Sequence, residues 1–80
     1  MNIKTNDILY FKENAYLVVD NIEGRYLYLK NNDSSKDDIA IVKIMDNQIV
    51  KIDNEEEFDY AINKFYLDYK EEILSFFNKN

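Results

Sequence analysis

The densest group of carboxylates in this 80-residue chain is Asp-Asn-Glu-Glu-Glu-Phe-Asp, residues 53–59. Acids this close can work as a general acid and base, or ligate a hard cation such as magnesium. A second group, Asp33, Asp37 and Asp38, is spaced somewhat like a calcium loop. It lacks the central glycine and the closing bidentate glutamate that such a loop uses. The rest of the inventory is sparse. There is no histidine and no cysteine, which removes the usual base at neutral pH, the thiol nucleophile and the usual zinc ligands. The hydroxyls of Thr5, Ser34, Ser35 and Ser75 stand beside no activating group. With one glycine, Gly24, no phosphate-cradling loop can be built. The sequence therefore predicts no enzyme, no cofactor and no metal centre, and reads the first group as a helix start and the second as a solvated loop.

That helix start has the expected chemistry. Asn54 can cap the N-terminus with Glu57 three residues on, and Asp53 with Glu56 is an equally legal box. Glu55, Glu56, Glu57 and Asp59 sit where the helix dipole favours negative charge. Beyond them Phe58, Ala61, Ile62, Phe65, Tyr69, Ile73 and Phe76 fall on one stripe, widened by Tyr66 and Phe77. This face must cover a sheet. A helix over residues 55–78 would be about 36 Å long against about 20 Å for a six-residue strand, so its last two turns are expected to overhang. Tyr60, Leu67 and Leu74, spaced by seven, form a thinner stripe on the opposite side.

The sheet is centred on residues 15–30, where two runs of β-branched and aromatic residues flank Gly24. A loop of Ile22, Glu23 and Gly24 would set Val19 against Leu27 and Leu17 against Leu29, with Val18 and Asp20 opposite Tyr28 and Tyr26. One face would then be aliphatic and the other tyrosine. Residues 7–12 read as a first strand covered on both faces, with a turn at Glu13 and Asn14. Residues 31–38 form an acidic loop, expected to be the most mobile part of the chain. Residues 39–45 and 48–52 make a strand pair turned at Asp46 and Asn47. The fold class is α+β: about five short antiparallel strands, as a meander or a small SH3-like barrel, followed by one long C-terminal helix packed on the sheet. The whole of 1–80 is a single domain.

The stretch 6–62, with its YLVV…YLYL hairpin, acidic loop, strand pair and closing DNEEEFDYAI, resembles small acidic uncharacterised proteins of AT-rich Firmicutes and their mobile elements. That resemblance implies a bacterial or phage origin and carries over no activity and no functional residue. A cytoplasmic location follows from the polar start of the chain, and no apolar run reaches the roughly 20 residues that span a bilayer.

A net charge of −6 disfavours direct binding to nucleic acid or anionic lipid. The leading expectation is a small acidic, non-enzymatic binding protein acting through a protein–protein surface. In its sharper form it is a phage or mobile-element inhibitor. Glu55, Glu56 and Asp59 would then imitate phosphates in a basic groove of a nucleic-acid enzyme, such as a CRISPR effector. Alternatives are a structural homodimer through Tyr60, Leu67 and Leu74, and single-strand nucleic-acid binding by stacking on Tyr26 and Tyr28. The tyrosine face admits a further reading, that it packs beneath the helix.

Overall fold

In the computed structural model, which describes residues 2–77, five antiparallel strands run in sequential order and one long helix follows. The strands are β1 (Ile8–Phe11), β2 (Asn14–Ile22), β3 (Tyr26–Asn31), β4 (Ile39–Met45) and β5 (Gln48–Lys51), and the helix is α1 (Glu55–Phe77). The sheet curls into a half-barrel. Asn78 and the side chain of Phe77, both assigned to the helix from sequence, lie outside the described residues.

The curl begins in the turns. Each of the three tight hairpins places two consecutive residues at positive φ: Lys12 and Glu13 (50° and 68°), Glu23 and Gly24 (59° and 63°), Asp46 and Asn47 (53° and 61°). Paired left-handed residues are the signature of type I′ turns, whose twist matches that of the flanking strands. Asp46 and Asn47 suit that role and were expected. The first turn was expected at Glu13 and Asn14, but Asn14 already pairs with Phe11. Lys12 and Glu13 take the left-handed positions without any sequence signal for them.

The central hairpin differs from the expected register. Its loop is Glu23, Gly24 and Arg25, with the Arg25 amide donating to the Ile22 carbonyl at 3.0 Å. Ile22 pairs with Tyr26, Asp20 with Tyr28 and Val18 with Leu29, while Leu17 pairs with Lys30. Val19 is the extra residue of a β-bulge. A bulge exchanges the faces of the strand beyond it and increases its twist. Tyr16 and Val18 therefore join Leu27 and Leu29, and Val19 and Ile22 pack with the tyrosines.

The two faces bury two cores. Tyr26, Tyr28, Ile39, Ile41 and Ile52 meet Ala61, Phe65 and Ile73 of α1. On the other face Ile3, Tyr16, Val18, Leu27, Leu29 and Val42 pack together, flanked by Leu9, Phe11, Ile44 and Ile49. Among the described residues no helix side chain contributes there, and the sheet buries this face by curling on itself. Strand β3 is the shared wall, with Tyr26, Leu27, Tyr28 and Leu29 all at most 3% exposed.

The helix does not overhang, contrary to the expectation from its length. It bends at Tyr69, whose φ of −127° and ψ of 23° leave the helical region. The bend carries Ile73 to full burial and lets Phe76 pack on the sheet.

Candidate partner-binding surface on the helix

The start of α1 is built by Asn54, whose Oδ1 accepts the Glu57 amide at 2.9 Å. Of the two expected capping boxes only this half forms, with Asn54 as the N-cap. The Glu57 side chain, however, turns to the sheet. Its Oε2 accepts the Tyr26 hydroxyl at 3.0 Å and its Oε1 accepts Lys43 Nζ at 2.7 Å. Arg25 stands 3.9 Å away. Lys43 first, then the Tyr26 hydroxyl, hold the Glu57 carboxyl below its ordinary value.

Glu57 belongs to a set. The hydroxyls of Tyr28 and Tyr16 donate to Glu72 at 2.6 Å and to Asp38 at 2.7 Å, and Asp20 is the carboxylate facing the phenol of Tyr69. Burial, aided by the facing carboxylate, pushes all four phenols up, Tyr16 to about 12. A buried phenol needs an acceptor, and here each has a carboxylate at the rim of the core. Sequence reasoning missed these four acids. For Glu57 and Glu72 the available signal was that inward-facing strand tyrosines recur with acids on the covering helix; Asp20 and Asp38 lie on β2 and in the loop before β4 and gave none.

Tyr26 and Tyr28 were expected as contact residues under the stacking reading, but their exposures are 3% and 0%. Tyr28 lies edge-on to Phe65 at 5.6 Å and to Tyr69 at 4.9 Å between ring centres. Bases cannot reach this face while the helix is docked. The acidic loop is tied down as well. Asp33 Oδ1 accepts the Ser35 amide and hydroxyl, Asp38 takes the Tyr16 hydroxyl, and the Asn32 amide donates to Ala15. Asp33, Asp37 and Asp38 do not converge, and among the described residues no group of three or more acids is arranged to hold a metal ion.

Glu55, Glu56 and Asp59 are exposed, and no hydrogen bond or ion pair of the described residues uses their side chains. Tyr60 is 48% exposed, one side of its ring against Tyr26 at 5.9 Å and Lys64 Nζ 5.2 Å from its centre. Leu67 is 85% exposed. At 3.6 residues per turn, Glu55, Glu56, Asp59, Tyr60 and Leu67 share one arc of about 140° on the straight part of α1. Leu74, 37% exposed, lies beyond the bend, so the sevenfold seam with Tyr60 and Leu67 is interrupted at Tyr69. The exposed large hydrophobics that sequence reasoning missed are Ile8 and Tyr10 on β1, at 46% and 80%, and Met45 at the end of β4, at 50%. The first strand is covered on one face, not two.

Comparison of the chain with protein-family models, curated proteins and solved structures gives no match.

Proposed function

We propose that this chain is a non-enzymatic binding protein that presents Glu55, Glu56 and Asp59, with Tyr60 and Leu67 beside them, to a basic surface of another protein. One observation carries the reading. The fold commits Asp38, Glu57 and Glu72 to phenols, yet leaves Glu55, Glu56 and Asp59 unpaired on one arc with an exposed tyrosine and leucine. Rim acids steer association, and a central aromatic or aliphatic anchor supplies contact area. The sharper form is a mobile-element inhibitor acting in the bacterial cytoplasm. Its carboxylates stand in for phosphates in the groove of a nucleic-acid enzyme, a CRISPR effector being one such target. No helix of the described residues is long and apolar enough to cross a membrane.

The test compares the wild type with the triple variant Glu55→Gln, Glu56→Gln, Asp59→Asn as bait in extract of the native host. The wild type should retain a nucleic-acid-binding protein that added DNA or raised salt releases, and the folded triple variant should not. Equal recovery by both baits refutes the reading.

The 85% exposure of Leu67 also favours a second copy of the chain as partner. In that case the mass by light scattering rises with concentration and Leu67→Glu abolishes the rise. A wild type that stays monomeric throughout excludes it.

A further inference from the structure

On one side of β4 the sheet leaves the backbone of residues 39–41 without a strand neighbour. Strand β4 is seven residues long and β5 only four, with their pairing ending at Val42 and Lys51. Ile39, Ala40 and Ile41 pair with β3 on one side and have no strand partner on the other. Beside them lies a cavity of about 210 Å³ lined by residues 39–42 together with Phe11, Lys12, Lys51, Ile52, Phe58 and Phe76. Consecutive β4 residues point to opposite faces, yet four in a row line this cavity. It therefore runs along the strand's edge rather than lying on either face. Both ends of the curl contribute, Phe11 and Lys12 after β1 and Lys51 at the end of β5.

The cavity is too small for a nucleotide or another ligand of drug size, which fills about 300–1,000 Å³. Three unpaired residues span about 10 Å, the reach of a short extended segment. The charge of the lining is the reverse of the molecule's. In a chain of net charge −6 the only ionisable side chains among the described residues that line the cavity are Lys12 and Lys51. Among the described residues neither forms an ion pair, Lys12 resting over the Phe11 ring at 5.5 Å. Asp38, next to β4, is turned to the Tyr16 hydroxyl.

From the free edge, the apolar lining and the two lysines, we propose that this groove binds an extended segment of another protein with apolar side chains flanked by carboxylates. The segment adds as a short strand to β4 in line with β5. Its backbone pairs with residues 39–41, its apolar side chains enter among Phe11, Phe58 and Phe76, and its acids meet Lys12 and Lys51. This is strand addition, in which main-chain bonds give affinity and flanking pockets give selectivity. The site is separate from the acidic arc of α1.

The probe is the N-acetylated, C-amidated pentapeptide Glu-Val-Ile-Val-Glu, titrated into the full chain at low salt and followed by amide chemical shifts. Its counterparts are Lys-Val-Ile-Val-Lys, Glu-Val-Pro-Val-Glu, and octanoate as a carboxylate without a backbone. The acidic probe should shift residues 11–12, 39–42 and 51–52. It should bind at least about tenfold more tightly than the basic one, as two exposed charge pairs allow. The double variant Lys12→Glu, Lys51→Glu, both at exposed positions, should invert that order, and the proline probe should fail. Absence of shifts at millimolar probe, equal affinity for both charges, an order unchanged in the double variant, or binding of octanoate alone would each overturn the proposal.

Discussion

Tyr28→Phe removes one oxygen from the middle of the protein and should cost about 1–2 kcal/mol. The ring is fully buried and stays, so its edge contacts with Phe65 and Tyr69 survive and no sizeable cavity forms. What is lost is the 2.6 Å bond to Glu72. A hydrogen bond to a charged group contributes about 1.5–3 kcal/mol, and water reaching the exposed Glu72 carboxylate recovers part of it. Stability for a chain this size is about 4–12 kcal/mol at about 0.05–0.15 kcal/mol per residue, so the change is easily measured by urea unfolding followed by far-UV circular dichroism. Glu72→Gln and the double variant complete a cycle, with an expected coupling of about 1 kcal/mol. The same bond carries a pH signature. Burial first, and then Glu72, push the Tyr28 phenol above its ordinary 10.0. Its contribution is therefore complete below pH 10.0 and lost as pH rises through the folded-state value. The wild type should lose stability above that point more steeply than Tyr28→Phe. A coupling below about 0.3 kcal/mol, within ordinary additivity error, with parallel alkaline limbs would refute the idea that this bond fastens the second arm of α1.

Phe65→Ala, at the fully buried contact of α1 with Tyr28, should cost about 3–5 kcal/mol; an unchanged melting temperature would mean the helix docks by another face. At the hairpin turns two substitutions should act in opposite senses. Gly24→Val, at φ +63° with open space around the new side chain, should destabilise by about 1–2 kcal/mol through backbone strain alone. Glu13→Gly, at φ 68°, should stabilise by about 0.5 kcal/mol, relief of strain outweighing the added freedom of the unfolded chain. Urea midpoints that move the same way for both would contradict the turn assignment. Because Lys43 and Tyr26 hold the Glu57 carboxyl low, its stabilisation is present above the ordinary carboxylate value and lost as pH falls through the lowered one. Glu57→Gln should therefore flatten the acid limb of the stability profile, and identical acid limbs would count against the Lys43 contact.

The order of elements was legible because the hydrophobic period changes from two to 3.6 near Asp53, and Asn54 marks the change. The alternation of Tyr26, Leu27, Tyr28 and Leu29 likewise announced a strand with two different faces. Which of those faces was covered could not be read, since tyrosine suits a half-buried rim, an interface and a core with a waiting acceptor equally well. The register of the central hairpin failed at Val19, because nothing in a run of β-branched residues distinguishes a bulged valine from a paired one. Lys12 and Glu13 gave no warning of their left-handed backbone, which is normally signalled by Gly, Asn or Asp. The bend at Tyr69 was equally silent, without proline or glycine. What meets Tyr69 there is tertiary, its ring edge-on to Tyr28 and its phenol facing Asp20. Of the acids at the helix start, Glu57 was legible as a partner of the Asn54 cap, but its contact with Lys43, 14 residues away in sequence, was not.

The helix comes last in the chain, and its absence from the concave core has a consequence for synthesis. The strands pair only with sequence neighbours, so each hairpin can close as soon as its second strand is made. The core around Leu27 and Leu29 needs nothing further. The tyrosine face must wait for 23 more residues, about 1–5 s at translation rates of about 5–20 residues per second. During that interval Tyr26, Tyr28, Ile39 and Ile41 stand open on a sheet whose other side is already shut. A chain stopped at the end of β5 would thus carry an open aromatic surface, the one that Phe65 and Ile73 cover in the folded protein.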